Sequence, residues 1–454
     1  MKKAVDWVTK LMKREKKRKD RGIVDLMMIL THFFRDLNQW VSEMKDPRNG
    51  SYTIYTPADY FYMGILKNVC SVESMRQMEE RFNEETCINT LRILSGNQGL
   101  KEMPHYDSLN HYLERLSPQE LSGLRRKMVK SLLRGKQFYR GRLQGKYWRV
   151  ILDGTGLFSF KERHCENCLS STYKDRDGKK RKYYYHKVLE AKLILGDELV
   201  ISLGTEFIEN EKEDVEKQDC EINAAKRLLG RLKKEYPRLP ICIQGDALYA
   251  VEPMMELCRG NQWSYIFTQK ETRQKVVARD YKDLEAEDLN EVKNICKENG
   301  SGRYYNGIGE IAGKKEAMNI FEYSYKKKTR DGETEICFQW ITDLEVSRRN
   351  LEELVEAGRG RWKIENEGFN NQKNGIYRIE HLNSRDRIAM KNHYLLTQIA
   401  DIVMQLYLAW SPVVREIKQS IKSTSSRLLE SFRQQTVTEE DVLYTKRYTC
   451  IYLE

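Results

Sequence analysis

The stretch RVILDGTG, at residues 149–156, joins a short apolar run to an aspartate and two glycines. Such a run, closed by turn residues, is typical of a buried strand, so we expect Asp153 to end a strand. A second stretch, ICIQGDALY at residues 241–249, has the same form and puts Asp246 at the end of another strand. Taken alone, an aspartate beside a glycine at a strand end is explained more simply as a turn.

The order of the segments between the two aspartates gives them more weight. Apolar runs at residues 187–195 and 198–208 follow Asp153, and a charged stretch with helical character covers residues 213–235 before Asp246. This order predicts strand, strand, strand, helix, strand, with one acid ending the first strand and the other ending the fourth. It is the topology of an RNase H-like domain, so we expect an α/β fold with a mixed-sheet core.

A third acid, Glu365, lies in RGRWKIENEGF at residues 359–369, a segment with helical character. Three carboxylates on separate elements suit metal-dependent phosphoryl transfer. In that reaction two Mg²⁺ ions about 3.5–4 Å apart hold the attacking and the leaving oxygen. Mg²⁺ prefers hard oxygen ligands and keeps several waters, so two or three carboxylates are enough.

At this point the chain resembles the DDE transposases of bacterial insertion sequences, in particular the cut-and-paste branch with a β-rich insertion before the final glutamate. The resemblance runs from about residue 52 to residue 407. Its motifs are DGTG at 153–156, GDALY at 245–249 and RWKIENEGFNNQKN at 361–374, supported by KDPRNG, MPHYDSLNHYLERL and YYYHKVLEAKL.

The resemblance implies that Asp153, Asp246 and Glu365 form a catalytic triad that binds two Mg²⁺ ions, with Mn²⁺ able to substitute. It implies hydrolysis at the transposon end, followed by transfer of the 3′-hydroxyl into target DNA. The implied partners are double-stranded DNA, as terminal inverted repeats and as target, and a second copy of the chain in a homodimeric paired-end complex.

The third motif departs from the family pattern in two places. The family has a tyrosine three residues before the arginine and a lysine seven residues after the glutamate. Here Arg361 and Glu365 keep their spacing, but Gly358 stands at the tyrosine position and Gln372 at the lysine position, with Lys373 one step later. We expect Arg361, and to a lesser extent Lys373, to contact DNA.

Glu367 is an alternative third ligand. On a helix it lies about 200° around the axis from Glu365, so only one of the two can face the site. The spacing from Arg361 favours Glu365.

The charge of the chain fits a polyanionic partner. The formal net charge is +12 and the pI is about 9.0, as for many proteins that bind nucleic acid. Residues 1–22 hold ten Lys or Arg against three acids. This segment is either a DNA-contacting arm or a solvated tail.

We expect neither a membrane span nor a signal peptide from this sequence. No stretch has the roughly 18 apolar residues that span a bilayer, and the basic N-terminus is not followed by the apolar core of a signal peptide. Ten cysteines are scattered without a compact framework. We therefore expect a cytoplasmic protein, associated with the bacterial nucleoid and without a membrane partner.

Composition shifts suggest five regions. The predicted regions are 1–145, helical with probable DNA-end binding; 146–267, the first part of the catalytic core; 268–345, the β-rich insertion; 346–410, the rest of the core with the glutamate helix; and 411–454, a helical tail. Residues 383–410 have a wide apolar face, which predicts packing against the catalytic sheet.

The insertion is predicted from four stretches in which apolar and polar residues alternate, FTQKETRQKVVARDY, RYYNGIGEI, KEAMNIFEYSYKKKT and EICFQWITDL. Its lysines and arginines, among them residues 326–328, are expected to contact DNA backbone because the family's insertion does so. The same alternation arises on any half-buried sheet.

A separate metal pattern follows the first acid. Cys165 and Cys168 form a Cys-x-x-Cys pair, and His186 comes 18 residues later, a spacing that matches tetrahedral zinc ligands. The fourth ligand would be His164 or Cys220. The simpler alternative is two reduced thiols and a histidine bonded to the backbone.

Two other functions compete with transposition. One is a catalytically inactive DNA-binding relative, which would be expected to lack an acid, and the other is a non-transposing RNase H-like nuclease. A serine or cysteine hydrolase is disfavoured, because no Gly-x-Ser-x-Gly turn accompanies a usable histidine.

Overall fold

The structure, a computed structural model, describes residues 21–50, 53–196, 199–213, 215–284, 287–311, 318–329, 332–411, 414 and 419–447; at 311, 329, 365–367 and 447 it describes the backbone alone. The basic segment predicted at residues 1–22 therefore lies, except for its last two residues, outside the described part. None of the described helices is long and apolar enough to cross a membrane.

The chain divides into two compact units. One is helical and combines Met1–Lys136 with Asn370–Glu454, and the other, Gln137–Phe369, contains the sheet. The α-helices are α1 (Gly22–Phe33), α2 (Leu37–Ser42), α3 (Pro57–Val69), α4 (Met75–Phe82), α5 (Glu85–Ser95), α6 (Tyr106–Arg115), α7 (Pro118–Arg134), α8 (Glu221–Glu235), α9 (Glu252–Gly260), α10 (Lys275–Lys282), α11 (Ile308–Ile311), α12 (Leu351–Arg359), α13 (Arg387–Trp410), α14 (Ile421–Gln434) and α15 (Glu439–Arg447). A 3₁₀ helix covers Lys136–Gly141 and a π-helix covers Ile364–Gly375.

Helix α13 is the centre of the helical unit. It packs against α1, α3, α6 and α7 and is buried on most sides, as expected for a helix with few charged residues. Its buried Asn392 donates hydrogen bonds to the carbonyl oxygens of Leu113 and Leu116 at the end of α6, both at 2.7 Å. Residues 387–410 group with the helical unit, and the predicted packing of residues 383–410 against the catalytic sheet stays a prediction.

The other unit is built on a ten-stranded mixed sheet. Its strands are β1 (Trp148–Phe160), β2 (Leu169–Lys174), β3 (Lys180–Leu195), β4 (Leu199–Ile208), β5 (Ile241–Gly245), β6 (Ser264–Thr268), β7 (Asn290–Ile295), β8 (Gly300–Tyr305), β9 (Asn319–Thr329) and β10 (Gly332–Thr342). The spatial order is β2-β3-β1-β5-β6-β10-β9-β8-β7, and β4 also pairs with β3.

The middle of the sheet mixes the two strand directions. Strand β3 is antiparallel to β1 and to β4, whereas β1, β5 and β6 run parallel. Strand β5 is buried along its whole length, which explains why it is a continuous apolar run rather than an alternating one. Helix α8 packs against β3 and β4, and the chain then passes from α8 into β5.

Three details of the sheet differ from the prediction. Asp153 lies in the middle of β1 and not at its end, because β1 pairs with β3 as far as Phe160. A short additional strand, β2, pairs with β3. Within the predicted β insertion, residues 275–282 form helix α10, since an amphipathic helix can also arise from a short mixed apolar and charged segment. The remaining strands of the insertion are antiparallel and extend the same sheet through the β6–β10 pairing.

Candidate active site

The register of the parallel strands brings the two aspartates level with each other. Ile151 on β1 is aligned with Gln244 on β5, and the same register continued by two residues places Asp153 beside Asp246. Asp246 directly follows β5, where one of its carboxylate oxygens accepts a hydrogen bond from the backbone N–H of Leu248 at 2.8 Å. Asp153 on β1 and Asp246 directly after β5 thus lie at the same pair of parallel strands, and the charges of both act on Tyr249.

Arg361 is held close to the first aspartate. Its Nη1 lies 3.9 Å from Oδ2 of Asp153, and both side chains are about a quarter exposed, at 24% and 22%. Ile364 packs with Ile151 and Ile194 on the sheet. Because side chains two residues apart on a strand share a face, Asp153 is on the face of β1 that Ile364 covers.

Helix α12 is tied to the same face of the sheet. The buried amide of Gln244 donates a hydrogen bond to the carbonyl oxygen of Ala357 at 2.8 Å. This bond fixes the last turn of α12, and the chain reaches Arg361 four residues later. The hydrogen bond of Gln244, which lies two positions before Asp246, thus helps to fix the position of Arg361.

The third predicted acid, Glu365, lies in the π-helix Ile364–Gly375. Its backbone directly follows Ile364, which packs on the face that carries Asp153. The side chains of Glu365 and Glu367 lie outside the described part of the structure. The choice between these two acids as third ligand therefore stays a prediction.

One departure from the family motif has a steric cause. A Cβ atom on Gly358 would lie 2.6 Å from Cε2 of the Trp340 indole, closer than packed atoms approach. Trp340 is itself fixed, because it is buried and stacks on Phe321 and Phe338. A tyrosine cannot stand at position 358 while Trp340 keeps this place.

The other departure has a polar cause. Gln372 is fully buried in the helical unit, where its amide donates to Gln398 at 3.1 Å and to Asp401 at 3.0 Å. Gln398 donates back to Gln372 at 3.0 Å. Lys373, the weaker DNA-contact candidate, belongs to the same unit, and its Nζ lies 2.8 Å from Glu380.

Sequence reasoning missed an acid on the opposite face of β1. Glu221, at the start of α8, accepts hydrogen bonds from Lys187 at 2.5 Å and from the hydroxyl of Tyr249 at 2.6 Å. A Cβ on Gly154 would lie 2.2 Å from its Oε2, so only glycine fits beside it. The charge of Glu221 is balanced by Lys187.

Three carboxylates affect the pKa of Tyr249. Burial, followed by the charge of Glu221 and then those of Asp153 and Asp246, raises the pKa of Tyr249 well above its usual range. The hydroxyl therefore stays protonated and donates to Glu221. The GDALY motif contained the signal for this residue, since the tyrosine follows Asp246 by three positions.

A second missed group lies beside Asp153 on β3. Glu190 is paired with Asp153 in the register and is fully buried with Lys192, whose Nζ is 3.9 Å away. The hydroxyls of Ser202 and Thr205 on β4 donate to its carboxylate. The signal was a glutamate and a lysine two residues apart inside an otherwise apolar run, which places both on one face.

The cysteine and histidine residues predicted to bind zinc come together. The Sγ atoms of Cys165 and Cys168 are 3.6 Å apart, and Nε2 of His186 lies 3.6 Å from the first and 3.4 Å from the second. His164 belongs to the same cluster, because its donor atom, that of Cys165 and that of His186 all lie within 4.8 Å of one another. Cys220, the other fourth-ligand candidate, is exposed at the start of α8 and is not part of this cluster.

The lysines of the predicted insertion have acidic neighbours. On the β9–β10 hairpin Lys326 is paired with Glu335 and Lys328 with Glu333. Opposite charges across a hairpin attract each other, so this surface is less basic than the β9 sequence alone indicates.

A comparison with models of protein families gives no match to this chain, and a comparison with curated proteins gives none either. A function is therefore inferred from the geometry of the site and the motifs of the sequence.

Proposed function

We propose that the chain is a DDE-type DNA transposase that cleaves transposon ends and transfers the 3′-hydroxyl into target DNA. The observation that supports this proposal is the parallel pairing of β1 and β5, whose register ends at Ile151 and Gln244 and, continued by two residues, would bring Asp153 level with Asp246. The strand order β4-β3-β1-β5-β6, with α8 between β4 and β5, also supports an RNase H-like core, because antiparallel strands are followed by two strands parallel to β1.

The donor chemistry fits Mg²⁺. Asp153 and Asp246 offer hard carboxylate oxygens, which Mg²⁺ prefers to thiol or imidazole donors. Bound Mg²⁺ would polarise the scissile phosphate and stabilise charge on the attacking and leaving oxygens. Glu365 is proposed as the third ligand, and Mn²⁺ is expected to substitute.

The residues around the acids have separate tasks in this proposal. Asp153 on β1 and Asp246 directly after β5 would hold the metal from a rigid part of the sheet, as a site that must keep its geometry requires. Arg361, 3.9 Å from Asp153, balances the carboxylate before DNA binds and contacts a DNA phosphate afterwards. Glu190 and Lys192, buried together beside Asp153, keep β3 in register.

The charge of the chain supports DNA as the substrate. A net charge of +12 favours a polyanion and speeds its encounter with the protein. We propose double-stranded terminal repeats and target DNA as partners, with two copies of the chain in the complex that joins two ends.

Strand cleavage of a labelled duplex that carries the terminal repeat tests the proposal. We expect Mg²⁺-dependent nicking at the repeat boundary by the wild type, and at least a hundredfold loss, as is usual when a group essential to the chemistry is removed, in Asp153→Asn and Asp246→Asn. The matched control is Asp283→Asn, which removes the same charge from an exposed carboxylate at the end of α10 and should cleave normally.

Other outcomes would select another function. Binding of the repeat without any cleavage by the wild type would indicate an inactive DNA-binding relative. Cleavage without preference for the repeat would indicate a non-transposing nuclease. Full activity of both site variants would place the active site elsewhere.

A further inference from the structure

The loop between β1 and β2 gathers four metal-binding side chains in one place. His164, Cys165 and Cys168 lie on the loop, and His186 comes from the adjacent strand β3. Cys168 and His186 are buried, at 0% and 5% exposure. We propose that these four residues form a structural zinc site, independent of the proposed active site.

The distances between the donor atoms match a zinc tetrahedron. With Zn–S bonds of about 2.3 Å and Zn–N bonds of about 2.0–2.1 Å, two sulfurs are separated by about 3.8 Å and a sulfur and a nitrogen by about 3.6 Å. The observed S–S separation is 3.6 Å, and the two S–N separations are 3.6 and 3.4 Å. Three edges of the tetrahedron are thus present at nearly their final length.

A disulfide does not explain the same geometry. The sulfur atoms of a disulfide are about 2.05 Å apart, whereas those of Cys165 and Cys168 are 3.6 Å apart, and both cysteines are free thiols. Two cysteines and two histidines are a typical ligand set of structural zinc.

The loop is organised around the sulfur atoms. The backbone N–H of Cys165 donates to Sγ of Cys168 at 3.3 Å, and the N–H of Cys168 donates to the carbonyl oxygen of Cys165 at 3.3 Å. Hydrogen bonds of this kind orient the side chains that bind a metal. The turn therefore presents both sulfurs to one point.

Two buried asparagines anchor this turn to the chain after β4. The amide of Asn167 donates to the carbonyl oxygen of Asn210 at 2.8 Å, and the amide of Asn210 donates to that of Cys168 at 3.0 Å. Their backbones are joined as well, by a 3.2 Å hydrogen bond. The ligands are thus preorganised before any metal binds, which lowers the entropic cost of binding.

The imidazole rings are oriented by an aromatic neighbour. His164 stacks on Phe160, the last residue of β1, with ring centroids 4.5 Å apart, and His186 meets the same ring edge-on at 6.3 Å. A zinc ion here would connect the end of β1 to β3. Because β1 also carries Asp153, the ion would stabilise the sheet without entering the reaction.

Zinc content of the full chain, purified without chelator and under reducing conditions, tests the site. We expect about one zinc ion per chain in the wild type and a loss of most of it in Cys165→Ser and in His164→Asn. Cys220→Ser is the matched control, since it removes an exposed thiol outside the cluster, and it should keep its zinc.

A measurement on the wild type tests the zinc site even if the variants fail to fold. Co²⁺ added after zinc removal should give the intense visible bands of a tetrahedral ion together with thiolate charge-transfer absorption, and chelation should lower the melting temperature. A wild type that holds no zinc after incubation with it and dialysis, or gives only the weak spectrum of octahedral Co²⁺, would overturn the proposal. So would an equal loss of zinc in Cys220→Ser. None of these readouts uses DNA, so they are separate from the test of transposase activity.

Discussion

At the scale of single residues, Gly358 shows how one rigid neighbour decides what a position accepts. We expect Gly358→Ala to lower the free energy of unfolding by about 1–3 kcal/mol, the usual cost of overpacking, because the new Cβ would meet the stacked indole of Trp340 at 2.6 Å. Urea unfolding of the full chain measures this change in the free energy of unfolding. The control is Gly230→Ala in α8, where no atom lies within 4 Å of the new Cβ, and it should gain roughly 0.5–1 kcal/mol. Equal stability of the two variants would mean that Trp340 moves freely.

The third ligand is a second question at this scale. We expect Glu365→Gln to abolish DNA cleavage while DNA binding persists, because removing the charge of a metal ligand affects the chemistry and not the protein–DNA contacts. Glu367→Gln, two residues further along the same π-helix, is the matched variant and should retain most of the cleavage rate. If Glu367→Gln abolishes cleavage and Glu365→Gln retains it, Glu367 is the ligand.

The residues of the site divide into those that a sequence can indicate and those that it cannot. Asp153 and Asp246 follow apolar runs, and such a pattern is local. Glu221 and Lys187 are 34 positions apart, and only the fold brings them together beside Gly154. The steric reason for Gly358 depends on Trp340, which is on another element, and the sequence could show only that the family pattern was broken.

At the scale of elements, the strands and helices with a clear period were predictable. The segment IVDLMMILTHFFRDLNQWV has helical character but contains two helices, α1 and α2, with a break after Phe33. Residues 275–282 form α10 although alternation favoured a strand, because eight residues are too few for the period to decide. The pairing of β10 with β6 was not predictable, since it joins residues about 75 positions apart.

Helix α13 gives a pH dependence to the helical unit. Burial, together with the positive charge of Lys67, lowers the pKa of His393 to about 3, and its Nε2 lies 3.0 Å from Oδ1 of Asn110. The folded chain keeps this imidazole neutral, whereas the unfolded chain binds a proton below about pH 6.5. The free energy of unfolding should therefore fall as the pH drops from about 6.5 towards 3, by at most about 1.4 kcal/mol per pH unit from this group.

His393→Gln tests that dependence, because a glutamine amide can still donate to Asn110 but does not titrate. We expect urea unfolding between pH 4.5 and 6.5, a window set by the histidine pKa values of about 3 and 6.5, to show a shallower slope for the variant by up to about one proton. His111→Gln, at an exposed position on α6, is the control and should leave the slope nearly unchanged. An unaltered slope in His393→Gln would mean that this histidine is protonated in the folded chain.

At the scale of the whole molecule, the charge of the sequence is uneven, and this gives a test of the proposed DNA binding. Residues 1–20 carry nine of the ten basic residues of the N-terminal segment. If they form a DNA-contacting arm, deletion of residues 1–20 should weaken binding and reduce the slope of log K against log salt by about 0.9 for each DNA phosphate that the arm neutralises. Fluorescence anisotropy with a labelled duplex at several salt concentrations measures both the affinity and its salt dependence. An unchanged slope would mean that the segment is a solvated tail.

The central claim is that Asp153 holds a metal ion that acts on DNA, and Asp153→Cys tests it most directly. A thiolate is a poor ligand for Mg²⁺, while softer divalent ions such as Mn²⁺ tolerate sulfur better. We therefore predict that the cleavage rate of Asp153→Cys on terminal-repeat DNA is lost in Mg²⁺ and partly restored in Mn²⁺, while the wild type works in both. Cleavage by Asp153→Cys in Mg²⁺ at the wild-type rate, or wild-type cleavage that persists in chelator, would contradict the claim.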